Sequence, residues 1–207
     1  PIGNANATGS TYFAGVFAGL GHTVTNLYIN ESGNSSSSFS GAGLFSQVQG
    51  PAVVRDVGLV TPTVIGCPSC SNLLTGALIG GTASIGTGAI TIANTYVSGG
   101  SVSGKGQIGG LIGATFSGGG AVTIDRSYST ASVSGSYQIG GLIGYMGGGT
   151  LTNSYATGAV SATGTVGTSN ASVAGGLVGD VESSATISKS FAAGTVSGSN
   201  AGALAGF

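Results

Sequence analysis

The chain has 207 residues, of which 43 are Gly and only 4% are charged, with a formal net charge of −1. Four basic residues cannot neutralise a phosphate backbone or hold an anionic bilayer, which excludes nucleic-acid partners and electrostatic membrane binding. Helix is disfavoured throughout because Gly costs about 1 kcal/mol relative to Ala in a helix interior, no apolar run is long enough to span a membrane, and the Gly content lacks the three-residue period of collagen.

The first unit begins at Pro1 in what reads as the middle of a domain, as in a processed or excised piece. It holds the small and apolar pentad AGVFA at 14–18, then VTNLY ending at Tyr28. His22 is the only histidine, has no triad spacing around it and reads as structural. Asn6, Asn30 and Asn34 stand in N-x-S/T sequons, as does Asn170 in the later insertion TGTVGTSNAS, so each is an acceptor for glycosylation in a secreted setting. The second unit opens with AGLFS at 42–46 and continues through Val54 to Gly58. It ends in CPSC. Redox catalysis would need a low-pKa thiol, typically at a helix start, and zinc would need two further ligands. A local disulfide between Cys67 and Cys70 is therefore expected, pinning a loop.

The third to seventh units begin at GALIG 76–80, GGLIG 109–113, GGLIG 140–144, GGLVG 175–179 and GALAG 202–206. Successive pentads are 28, 34, 33, 31, 35 and 27 residues apart, the spacing of a solenoid repeat. Tyr96, Tyr128, Tyr155 and Phe191 each end a second β pattern, and Val102, Val133, Val160 and Val196 follow five or six residues later. Three short β segments per unit are expected. None buries an apolar face alone, so the units must stack. GKGQIG at 104–109 matches a dinucleotide fingerprint in letters only, because no helix pattern follows it.

Stacking at about 4.8 Å puts each position on its own copies. One expected column is Val16, Leu44, Leu78, Leu111, Leu142, Leu177 and Leu204; another is Val24, Val54, Ile92, Ile124, Leu151 and Ile187. Two residues before the aromatic lies a structural polar column: Asn26, Asp56, Asn94 and Asn153, with Arg126 and Lys189 departing from it. Asn and Asp tolerate left-handed geometry, so this position is expected to be a corner with amides bonding along the axis. The expected fold is a single all-β domain over 1–207: a single-stranded parallel β-helix of about seven coils of about 31 residues, roughly 35 Å long.

The pentads and the units SYATGAVSATG and SYSTASVSGSYQIGGLIG resemble the GLUG motif, and the opening PIGNANATGSTYFAGVFAGLGHTVTNLYIN is similar to the segment preceding such repeats in filamentous-haemagglutinin-like exoproteins. The resemblance implies a right-handed β-helix, secretion to a bacterial cell surface and a structural or adhesive role, with no catalytic residues to carry over. The residues agree on the last point. Asp180 with Glu182, and Asp56 with Asp125, are the likeliest carboxylate combinations for acid/base work, but the other charges are too sparse to build a site around them. No enzyme activity, cofactor or metal is expected. Neither end looks capped, which points to self-association or neighbouring coils as partners; a host or carbohydrate receptor is the other class. The competing functions are an ice-binding face of threonines and a carbohydrate surface built on outward-facing tyrosines.

Overall fold

Valine, isoleucine and leucine alternate with small polar residues in stretches too short and too glycine-rich for helix. Each stretch becomes a strand and pairs in parallel with its copy one unit later. The computed structural model describes residues 2, 11–33, 41–70, 72–83, 86–116, 118, 120–164 and 172–206. Its strands fall into four stacked sheets that run the length of a β-solenoid.

The corner sheet has ten strands, including Ala52–Val60, Ile90–Ser98, Val122–Asp125, Tyr128–Ser129, Gly149–Thr152 and Tyr155–Ala156. The valine sheet has six strands, from Tyr28–Asn30 to Val196–Ser197. The lead-in sheet also has six, from Gly41–Ala42 to Asn200–Gly202, and the pentad sheet has five, from Phe45–Val48 to Val178–Val181. Six stacked lead-in strands mark five full turns, about 24 Å along the axis at ~4.8 Å per turn.

The interior is a set of aliphatic columns. Val54, Ile92, Ile124, Leu151 and Ile187 are register partners on consecutive turns. So are Ile29, Val64, Val102, Val133, Val160 and Val196. Leu78, Leu111, Leu142 and Leu177 are completely buried. Their backbones continue the ladder: Leu111 N–H donates to Leu142 O at 3.0 Å and Leu142 N–H to Leu177 O at 2.9 Å.

The pentad is a corner. Its first residue closes the lead-in strand, its leucine points inward, and its last two residues open the pentad sheet. A Cβ on Gly140 would collide with Ile143 O, and one on Gly144 would meet Ile108 N and Gly113 O of the neighbouring turn. The small positions of the pentad are thus set by backbone lying against backbone.

The structure corrects several expectations. There are about five turns between Gly41 and Gly202, not seven, and four sheets per turn rather than three segments. The first pentad is not a corner: Val16–Ala18 is a plain strand of the corner sheet, opposite Val53–Arg55, and Val16 is 70% exposed. Ile2 occupies the pentad place instead, bridging to Phe45. Val24 lies opposite Leu59 rather than Val54, and Tyr28 opposite Thr63 rather than in the aromatic column. Asn26 sits beside Thr61, not on Asp56. The physical reason is an extra turn at Gly19–His22, which slides the following strand along the long strand Ala52–Val60. Both halves of that strand offer buried apolar residues, Val54 in one and Val57 and Leu59 in the other, so either half can receive a strand. Phe17 takes the place over Val54 and packs edge-on against Phe45 at 5.2 Å between ring centroids.

Candidate functional site

The corner sheet bends in the middle of each long strand at a residue with left-handed backbone. Asp56 (φ 56°), Asn94 (51°), Arg126 (46°), Asn153 (50°) and Lys189 (49°) occupy this corner on consecutive turns. Asn26 has φ 56° at a different corner, where its Oδ1 accepts from Thr61 Oγ1 at 2.6 Å. Left-handed geometry is cheapest for Gly, Asn and Asp. Arg126 and Lys189 adopt it because the strands on both sides are held by neighbouring turns.

The corner side chains bond along the axis. Asn94 Nδ2 donates to Asp56 Oδ1 at 3.0 Å, and Arg126 Nε donates to Asn94 Oδ1 at 2.8 Å. Asp125 Oδ1 accepts from Asn153 Nδ2 at 2.7 Å and from Thr152 Oγ1 at 2.8 Å. Arg55 pairs with Asp56, and Arg126 with Asp125 at 2.9 Å. The Asn94 hydrogen bond, then Arg55, holds the Asp56 carboxyl below its usual range; the Asn153 and Thr152 bonds, then Arg126, do the same for Asp125. These carboxylates are hydrogen-bond acceptors in a ladder.

One residue further on, the bend takes each N–H off the regular ladder, and a serine hydroxyl replaces the missing acceptor, buried at Ser127 and Ser154 and half-buried at Ser190. Ser127 N–H donates to Ser154 Oγ, and Ser154 N–H to Ser190 Oγ, both at 3.1 Å. Each hydroxyl donates in turn to a carbonyl of its own strand: Ser127 to Asp125 O, Ser154 to Thr152 O and Ser190 to Ser188 O. Sequence reasoning missed this column. Its signal was present as the Ser or Thr immediately before each aromatic, in NTY, RSY, NSY and KSF.

The aromatic residues follow on the outer face. Tyr96, Tyr128, Tyr155 and Phe191 stack with centroids 5.0, 4.7 and 5.1 Å apart and planes within 7° of parallel. Tyr96 leans over Gly58, which has no side chain to oppose it. The three tyrosines are half-buried and Phe191 is 53% exposed. Burial, and then the neighbouring tyrosines, raises the Tyr128 phenol above its usual range. Before the corner runs an outward threonine column, Thr91, Thr123, Thr150 and Thr186.

The remaining predicted residues lie apart from this face. Asp180 accepts from Gln138 Nε2 at 2.6 Å and Glu182 accepts from Tyr145 OH at 3.1 Å, both on the pentad sheet side. Burial, helped by Glu182, pushes the Tyr145 phenol up to about 12. Cys67 and Cys70 are joined by a disulfide, Cα atoms 5.3 Å apart, and are buried. His22 is exposed on the turn before Thr23–Thr25. Asn30 is exposed at the end of its strand, with its amide donating to Tyr28 OH at 3.2 Å. Asn6, Asn34 and Asn170 lie outside the described residues. Among the described residues no cluster of three or more His, Cys, Asp or Glu could hold a metal, and no helix is long and apolar enough to cross a membrane.

Four parallel sheets, a left-handed polar corner, a buried hydroxyl column and an aromatic stack define a β-solenoid built on one repeating turn. Residues 135–167 match the family described as the GLUG motif, so the chain contains a GLUG-repeat region. No curated protein and no solved structure matches the chain.

Proposed function

We propose that this chain is an extracellular structural module, a rigid length of solenoid within a surface exoprotein or fibre, without catalytic activity and with adhesive contact made through its loops or ends. The observation that carries this reading is the fate of the polar and aromatic groups along the outer face. Asp56, Asn94, Arg126, Asp125 and Asn153 are engaged with one another along the axis. The tyrosines give their ring faces to each other. Such a face stiffens a rod and leaves few groups for chemistry. The Cys67–Cys70 disulfide suits an oxidising, secreted setting. Fractionation of the native cells with an antibody to the chain, combined with competition of cell attachment by the purified protein, tests the proposal. Surface location with reduced attachment is expected; a cytosolic protein would defeat it.

The aromatic stack weakens the carbohydrate alternative, because sugars pack on ring faces and here the inner faces are already covered. The ice-binding alternative draws on the threonine column. It stands second because the parallel column beside it reads Ala93, Asp125, Thr152 and Ser188, and the Asp125–Arg126 ion pair breaks the flat array such a face requires. Thermal-hysteresis measurement separates the two: clear activity would replace the structural reading.

A further inference from the structure

Tyr96, Tyr128 and Tyr155 are register partners on consecutive turns, and Phe191 follows on the next. The backbone beside them is tied down turn by turn. Thr95 N–H donates to Ser127 Oγ at 3.3 Å, Tyr155 N–H to Ser127 O at 3.2 Å and Phe191 N–H to Ser154 O at 3.1 Å. The tyrosine ring centroids, 5.0 and 4.7 Å apart, match the spacing of the strands that carry them. With planes only 6° and 3° from parallel, each ring is nearly a copy of its neighbour moved one turn along the axis. Each ortho carbon of one phenol therefore stands about 5 Å from its counterpart on the next. All three tyrosines are half-buried, so their outer edges meet solvent.

From this geometry we propose that the tyrosine stack is an oxidative cross-linking site, where a dityrosine bond joins neighbouring turns. The co-reactants are a peroxide and a one-electron oxidant of the haem-peroxidase class. Two neighbouring phenols each give up one electron and the phenolic proton, and the peroxide takes both pairs to become two molecules of water. The two phenoxyl radicals join by a carbon–carbon bond between ortho positions. The two ortho hydrogens leave as protons and two protons return to the oxygens, so both rings are phenols again. Rotation about χ1 and the broad χ2 of tyrosine closes the remaining gap while the ladder keeps its register. Groups held side by side react at a high effective concentration, so coupling within one chain outruns coupling between chains. Tyr128 is the shared partner and couples with Tyr96 or with Tyr155; Phe191 has no phenol and ends the reactive run. These pairs are 32 and 27 residues apart, so the bond constrains the unfolded chain as a disulfide of that span does. Other tyrosines are placed differently: Tyr145 packs on Phe116 and donates to Glu182, Tyr137 lies under Lys105, and Tyr28 OH accepts from Asn30. The chemistry depends on the stack alone and not on where the chain is displayed.

The test treats dilute protein with hydrogen peroxide and a haem peroxidase, reads dityrosine by its fluorescence and locates it by mass spectrometry of a digest. The expected product is a monomer linked Tyr96–Tyr128 or Tyr128–Tyr155, in a yield per chain that does not fall on dilution, with a higher urea midpoint than the untreated protein. Tyr128→Phe keeps the ring stack and should remove at least about nine-tenths of the intrachain product, whereas Tyr145→Phe should leave it unchanged. Tyr96→Phe with Tyr155→Phe leaves Tyr128 alone in the stack and should lose the product equally, which serves if Tyr128→Phe disturbs the β circular-dichroism spectrum. Dityrosine found only in dimers, intrachain links that persist in Tyr128→Phe, or links that fall on Tyr28 or Tyr137 instead would each overturn the proposal.

Discussion

AGVFA at 14–18 and GGLIG at 140–144 share a pattern in sequence and differ in place. In the second, Gly140 and Gly144 are pressed against backbone on both sides and Leu142 is wholly buried. In the first, Val16 is 70% exposed, and a Cβ on Gly15 would meet only the Phe13 ring at 3.5 Å. A short small-and-apolar segment suits both a tight corner and a plain strand. Its neighbours above and below choose between them. The difference shows that a repeat of this kind is specified by its stack, and that the first turn has traded the corner for an aromatic packing of Phe13 and Phe17 on Phe45.

Substitutions at matching positions sharpen this contrast. The largest effect is expected from Leu142→Ala, about 3–4 kcal/mol by urea unfolding, because the cavity opens in a dry column; Leu204→Ala, at a residue 42% exposed, should stay below about 1 kcal/mol. Next comes the second pentad position. Gly141→Ala drives a Cβ toward Gly176 O and to 2.9 Å from the Ala156 Cβ, and should cost about 2–3 kcal/mol. Gly15→Ala should be near neutral, and equal losses at the two sites would remove the distinction between them. Ser154→Ala strips the acceptor from Ser127 N–H and should cost about 1–2 kcal/mol, read as faster amide exchange at Ser127.

The smallest effects are in pH. A phenol whose folded pKa lies above the unfolded value of about 10 stabilises the fold below that value. The contribution of Tyr145 is lost as pH rises toward about 12, so its tyrosinate absorbance should appear late and together with loosening of the pentad sheet. Asp56 and Asp125 have the opposite sign. Their folded values are lowered, so the ladder contributes above about pH 4 and weakens as pH falls below it. Exposed positions and salt screening keep this effect small. A midpoint temperature that rose on acidification would contradict the ladder.

Much of the candidate face was legible beforehand. The polar corner could be read from Asn94 and Asn153, because few residues other than Gly adopt left-handed backbone readily; the four expected Asn and Asp positions have it, and so do Arg126 and Lys189, which depart from the pattern in sequence. The buried hydroxyls were not read. A serine between two turns looks like any polar surface residue until the bend removes its neighbour's ladder acceptor. Nor did sequence tell whether Tyr128 stacks inside or outside, since a half-buried aromatic suits either side of a strand.

The sequence alone determined the period, the parallel stacking and the main aliphatic columns. Those follow from local spacing, because copies 27 to 35 residues apart bury their apolar faces together only on one another. Tertiary structure decided what each copy becomes. Val24 slid to Leu59, Asn26 to Thr61 and Tyr28 to Thr63 because both halves of Ala52–Val60 present buried apolar residues and the extra turn at Gly19–His22 carries the strand to the second. Where a strand offers two apolar halves, the packed neighbours, here Phe13 and Phe17 against Phe45, fix the register.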